Sequence, residues 1–283
     1  MHQNLPFTIW NILKEFDPEK KGYLPRTRFY KISYLIHTRL KRRNIQTGLP
    51  WCWYIYGPEV QIDYIPPEIY VSEDRPDGTR LYYGLEPKNR PPERKDQPAI
   101  MHEIKALQRK HPRTDELIRD IYTNPPKKIL SLLKEYDDLI ESLKRGQSVI
   151  EGDHAPILIS QLDRIEKSYS EQDFGEMYTE FLRLDDLIRL SMKNRPGKIG
   201  ELGPVIHSFR EIVATKASAL FNENVPDEFI KSRMALMRQR LDAYKPALDK
   251  LESALLKDVP RKDGDKRHIG ELAKVASKIA RGE

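Results

Sequence analysis

The chain has few of the features that usually assign a protein to a class. Among its 283 residues there is one cysteine, Cys52, which excludes an internal disulfide framework and a cysteine-based zinc cage. No run of about 18 apolar residues occurs, so the sequence encodes no transmembrane helix. The first residues lack the basic and apolar regions of a signal peptide, and we therefore expect a cytoplasmic location and no membrane partner.

Motifs for catalysis and metal binding are also missing from the sequence. The seven histidines are scattered, and no two are spaced by three or four residues to form a metal-binding face of a helix. There is no GxSxG elbow, no glycine-rich phosphate loop and no HExxH pattern. The sequence predicts no catalytic residues, no metal and no cofactor, and hence a protein that is not an enzyme.

Isolated polar residues are given the simpler interpretation. Asp137-Asp138 and Asp185-Asp186 are adjacent pairs, and neighbours on a helix point about 100° apart, so we expect solvated helix surface at both. His37 lies on a predicted helix near basic residues, where a surface or capping role is expected. Cys52 stands between two tryptophans and is expected to be a buried, inert thiol.

The net charge of +6 comes entirely from the N-terminal part of the chain. Residues 1–60 contain ten Lys or Arg against four Asp or Glu, whereas the two charge types balance in the remainder. Such asymmetry indicates where an acidic partner would bind. Nucleic acid, an acidic protein and plain solubility all remain open as explanations for these basic residues, which are Arg28, Lys31, Arg39, Lys41, Arg42 and Arg43.

The spacing of apolar residues divides the chain into two regions. Helical spacing predicts helices over residues 4–16 and 27–43. The period then changes to two, and Pro76-Asp77-Gly78 predicts a β-ribbon with sides near 67–73 and 79–85. A basic helix followed by a hairpin is the layout of a winged helix, whose helix can enter a major groove.

Beyond residue 98 the sequence reads as helical. Helices are predicted over 127–145 and 171–193, near 199–222 and 265–281, and along a heptad seam from Ile230 to Leu255. Ser170 to Asp173 predicts the N-cap of the helix over 171–193. The expected fold is mainly α, with a winged-helix-like α+β domain (1–145) and a C-terminal antiparallel helical bundle (155–283).

One combination of residues resembles a known family. A helix carrying Phe29-x-Lys31-Ile32-x-Tyr34-Leu35, followed by Trp53-x-x-Tyr56-Gly57-Pro58, resembles the Panacea (SocA-like) antitoxin domain family and its winged-helix-like relatives, over roughly residues 5–140. The resemblance implies a small non-catalytic domain that binds another protein, often a toxin.

These observations predict an antitoxin-like or regulatory protein that binds a toxin or effector, possibly within a prokaryotic defence module. A winged-helix DNA-binding regulator is the alternative, with nucleic acid bound through residues 26–43. The aromatic cluster is open to three interpretations: a structural core, a ligand pocket, or a partner-binding edge of the kind in which Trp and Tyr are enriched. The candidate partner-binding residues are Trp51, Trp53, Tyr54 and Tyr56.

Overall fold

The computed structural model describes residues 4–16, 23–76, 80–84, 95–110, 113–144, 155–194 and 202–257, and these residues are mainly helical. No helix in these ranges combines the length and the apolar character needed to cross a membrane. The helices of this part of the chain are α1 (Leu5–Glu15), α2 (Arg26–Lys41), α3 (Gln97–Arg109), α4 (Thr114–Thr123), α5 (Lys128–Lys144), α6 (Ala155–Lys167), α7 (Glu171–Phe174), α8 (Tyr178–Asn194), α9 (Gly203–Leu220) and α10 (Asp227–Lys257).

The strands of the described residues form two small antiparallel sheets. One sheet has the order β1-β5-β4, and the other has the order β3-β2-β6. The predicted β-ribbon is confirmed as the β4–β5 pair, and Arg80 donates two hydrogen bonds to Asp74 at the open end of its turn. The strand bounds are β1 (Tyr23–Pro25), β2 (Trp51–Tyr54), β3 (Gly57–Val60), β4 (Tyr70–Asp74), β5 (Arg80–Gly84) and β6 (Asn222–Glu223).

Helix α2 lies at the centre of the N-terminal half. Phe29, Ile32, Ile36 and Leu40 recur every three or four residues and are all buried, which is the pattern of a helix that packs on a core. The helix contacts α1, α3, α4, β1, β3 and β5. It is therefore enclosed by other elements along most of its length.

The two halves of the chain are joined by hydrogen bonds as well as by apolar packing. Strand β6 pairs with β2, and the Trp53 amide donates to Phe221 O at 2.8 Å. Helix α9 packs against α5, α10 and β2, and the buried apolar side chains of both halves form one cluster. The division into domains 1–145 and 155–283 stays a prediction, and the core is continuous across it.

Several sequence predictions for the C-terminal half have clear outcomes. The seam of α10 is confirmed, since Met237, Leu241, Tyr244 and Leu248 are buried. The Ser170 cap is confirmed, because its hydroxyl accepts a hydrogen bond from the Asp173 amide.

The single helix predicted over 171–193 is wrong. Helix α7 ends at Phe174 and is followed by a 3-10 turn over Gly175–Met177, after which α8 begins at Tyr178. Glycine favours such a break, and the Tyr169 hydroxyl donates to Phe174 O at 2.9 Å. The helix predicted near 265–281 lies outside the described residues.

Candidate functional site

The two tryptophans of the aromatic cluster belong to the core. Trp53 is only 1% exposed, and Trp51 is also buried. The Tyr34 ring of α2 packs edge-on against both indoles, with centroid distances of 4.7 Å to Trp51 and 6.4 Å to Trp53. Tyr122 of α4 packs on Trp53 at 5.5 Å. This side of β2 is therefore covered by helices and presents no open surface.

The opposite side of β2 faces the C-terminal helices. Cys52 is buried, as expected, and burial raises the pKa of its thiol to about 12, so it is not a nucleophile. Arg240 donates to the Tyr54 hydroxyl at 3.2 Å, and the Arg233 guanidinium lies 5.2 Å from the centre of the Tyr54 ring. These contacts fix Tyr54 against α10, where it helps to join the two halves of the chain.

Tyr56 is the exception in this cluster, because its side chain is exposed while its backbone is held rigidly. The residue is 63% exposed and lies in the turn between β2 and β3. Lys31 donates to the carbonyl oxygen of Tyr56 and, at 3.0 Å, to that of Pro58. The carbonyl oxygen of Ile55 accepts from Arg210 at 2.6 Å and from Tyr122 at 3.2 Å.

The turn also depends on a glycine. Gly57 has φ +86°, in the left-handed region that residues with a Cβ adopt with difficulty. A Cβ at this position would lie 3.3 Å from Lys31 Nζ. The predicted special conformation of Gly57 is thus confirmed.

An open cleft of about 580 Å³ lies beside Tyr56, between α5 and α9. At its base Asp137 Oδ2 accepts hydrogen bonds from Arg210 and, at 2.9 Å, from His207 Nδ1. The side chains of Asp137 and Arg210 are 4% and 5% exposed, whereas that of His207 is 40% exposed. A buried ion pair therefore carries a half-exposed imidazole that lines the cleft.

The solvated surface predicted for Asp137 and Asp185 is wrong. Asp137 is neutralised by Arg210, and Asp185 accepts from Arg189 at 2.7 Å. Their neighbours Asp138 and Asp186 are exposed, as predicted. The 100° step between adjacent helical positions separates the members of each pair, as expected, but it places one member inside the protein.

The cleft has part of the equipment for acid–base chemistry. A carboxylate bonded to Nδ1 of a histidine orients the ring and leaves Nε2 available. The nearby hydroxyl of Ser142 donates to Leu139 O at 2.8 Å on its own helix. No group of three or more His, Cys, Asp or Glu suited to a metal ion occurs in the described part of the chain.

The candidate nucleic-acid-binding residues do not share one open face. Lys31 is buried beneath the β2–β3 turn, and Arg28 is partly buried. Lys41 pairs with Glu223 at 2.6 Å and Arg43 with Glu103 at 2.9 Å. Arg39, which is partly buried, and Arg42, which is exposed, complete the basic end of α2.

His37 and Lys31 show that polar residues of α2 were misjudged from the sequence. The surface role expected for His37 is wrong, since the ring is buried between Thr47 Oγ1 at 2.7 Å and Glu223 Oε2 at 3.2 Å. Burial lowers the pKa of Lys31 to about 7, and the charge of Glu59 opposes this effect.

Sequence reasoning also missed Arg210 and His207. The available signal was the position of Arg210, four residues after Ile206 and three before Val213, on a buried face of α9. A cation inside an apolar stripe requires a buried partner. Searches with this chain find no matching family model, no matching curated protein and no matching solved structure.

Proposed function

We propose that this is a non-catalytic cytoplasmic protein of the antitoxin-like or regulatory kind, which binds a protein partner through Tyr56 and the adjoining cleft. The observation that supports this proposal is the β2–β3 turn. It presents an exposed aromatic side chain on a backbone that three side chains from three different helices hold in place: Lys31, Tyr122 and Arg210.

The physical argument starts from the two buried cations. Removing a charge from water is unfavourable, and apolar side chains in the same place are often equally or more stabilising. Lys31 and Arg210 nevertheless both bond to carbonyl oxygens of this one turn. Their placement indicates that the conformation of the turn matters for function.

A rigid, exposed tyrosine is well suited to act as an anchor for a partner. Tyrosine is enriched among the residues that contribute most to protein interfaces. An anchor that is already ordered loses little conformational entropy when it binds, and this increases affinity. Trp51, Trp53 and Tyr54 then act indirectly, because they hold β2 in place.

The strand order β1-β5-β4 is consistent with a winged-helix-like N-terminal half, in which a strand between two helices pairs with a later hairpin. Together with the resemblance of residues 5–140 to the Panacea family, this supports a toxin or effector as the partner, in a prokaryotic defence module. DNA binding is the weaker proposal, because α2 is enclosed by its neighbours and Lys31 is buried.

The test is affinity capture from the native host, followed by measurement of the purified pair by calorimetry. Tyr56→Ala should weaken partner binding by roughly 30-fold, the effect of losing about 2 kcal/mol at an interface anchor. Tyr64→Ala is the matched control, since Tyr64 is 41% exposed and packs on Phe229, away from the cleft. Equal affinity of the wild type and Tyr56→Ala for the partner would refute the proposal.

A further inference from the structure

The hydrogen-bonding groups that the cleft leaves unused are acceptors. Asp137 Oδ1 is buried and has no hydrogen-bond partner among the described residues, although Asp137 lines the cleft. A carboxylate only accepts, so the Nδ1 of His207 is the donor to Asp137, and the Nε2 of the neutral ring carries a lone pair. Ser142 gives its proton to Leu139 O, which leaves its hydroxyl lone pairs available.

The donors at the base of the cleft are already engaged. Arg210 directs Nη1 to Asp137 and Nη2 to Ile55 O, and its side chain is nearly fully buried. The described lining contains three carboxylates, of Asp137, Asp138 and Glu141, against this one guanidinium. Negative charge and acceptors therefore exceed positive charge and donors.

A buried acceptor without a partner is a separate observation from the charge. Such atoms are rare in native proteins, and leaving one unsatisfied is unfavourable by about 1–3 kcal/mol. A donor that enters the cleft would complete the hydrogen bonding of Asp137. An anionic ligand would instead meet the carboxylates and be repelled.

The exposed ring of Tyr56 adds a surface for a planar cation. The Arg210 guanidinium lies 5.5 Å from the centre of this ring, and the side chain remains 63% exposed. Aromatic faces attract guanidinium groups, and Arg carries five donors in one plane. The geometry of the cleft thus matches arginine in charge, in donors and in shape.

We infer that the cleft receives an arginine side chain of the protein partner, held by Asp138, Glu141 and the Nε2 of His207 beside Tyr56. This assignment rests on the protein-binding function proposed above. The partner is the expected source of the cation because the cleft is continuous with Tyr56, the anchor of the proposed docking surface.

The experiment uses the purified full-length chain and defined peptides. The capped tripeptide acetyl-Ala-Arg-Ala-amide is titrated while the His207 ring nitrogens are followed by NMR, and the neutral citrulline analogue serves as the matched ligand. We expect the arginine peptide to shift the Nε2 resonance and the citrulline peptide to bind at least tenfold more weakly, because a charge-assisted hydrogen bond is lost.

Variants locate the site on the protein. Asp138→Asn and Glu141→Gln should each weaken binding of the arginine peptide by roughly tenfold. Glu135→Gln is the matched control, because Glu135 lies on the same helix, is similarly exposed and does not line the cleft. Asp137 is left unchanged in these variants, since its loss would leave Arg210 buried without a counter-charge.

The outcomes separate the two proposals. Equal binding of the arginine and citrulline peptides, or equal effects of Glu135→Gln and Glu141→Gln, would overturn the inference. Spermidine or free arginine amide binding more tightly than the peptide would make the ligand a small molecule and would overturn the partner as its source. A captured partner that requires Tyr56 but tolerates Asp138→Asn and Glu141→Gln would refute the arginine site and leave the proposed function standing.

Discussion

The buried lysine beneath the β2–β3 turn predicts an unusual dependence of stability on pH. Lys31 is almost fully buried, and its pKa is lowered from 10.5 to about 7. Between these two values the unfolded chain binds more protons than the folded chain. The free energy of unfolding must therefore rise with pH in this window and fall again as the pH returns toward 7.

The magnitude follows from the shift. One proton difference changes the free energy of unfolding by at most about 1.4 kcal/mol per pH unit. From pH 7 to pH 9 the gain is about 2 kcal/mol, because the folded state is already half deprotonated at the lower limit. Above pH 9 the raised pKa of Cys52 acts in the opposite direction, so the measurement stops there.

The assay is urea unfolding at pH 7, 8 and 9 for the wild type, Lys31→Met and Lys41→Met. Methionine removes the charge and keeps the apolar stem, so Lys31→Met should lose the rise of about 2 kcal/mol. Lys41→Met should keep it, because Lys41 is an exposed residue of the same helix. Parallel pH profiles for the wild type and Lys31→Met, or a Lys31 ¹³Cε titration with a midpoint near 10.5, would refute the reasoning.

Three further predictions concern the same region. Trp53→Ala should reduce the free energy of unfolding by about 3–5 kcal/mol in urea, because the indole is fully packed; an unchanged midpoint would contradict its place in the core. Asp137→Asn should lower it by a similar 3–5 kcal/mol by leaving Arg210 buried and unpaired, whereas Asp138→Asn should change it by less than about 1 kcal/mol. Replacing Arg39 and Arg42 by Ser should leave an electrophoretic mobility assay unchanged, and a DNA shift lost in that variant, with a salt slope reduced by about 0.9 per phosphate contact, would favour the nucleic-acid alternative.

Much of the secondary structure was predictable because it depends on neighbours in the chain. Helices α1, α2, α5 and α10 carry apolar residues every three or four positions, and this periodicity identifies a helix without knowledge of what covers it. The β4–β5 pair was predictable for a similar reason, since its turn is encoded by adjacent residues. The break after Phe174 was missed because the apolar spacing continues across it.

The candidate site was predictable only in part. The crowding of aromatic residues at 51–56 drew attention to the correct segment, and alternation along a strand separated Trp51 and Trp53 from Tyr54 and Tyr56. That separation did not indicate which side stays open. The exposure of Tyr56 results from a turn whose supports come from α2, α4 and α9.

The sequence by itself determined the helical elements, the hairpin and the location of the positive charge. Only the tertiary structure decided which polar residues are buried. Asp137 meets an arginine 73 residues away, and His37 meets a glutamate 186 residues away. The physical reason is that a backbone hydrogen bond in a helix forms within four residues, whereas a charge becomes stable inside a protein only beside a partner that folding brings from a distant part of the chain.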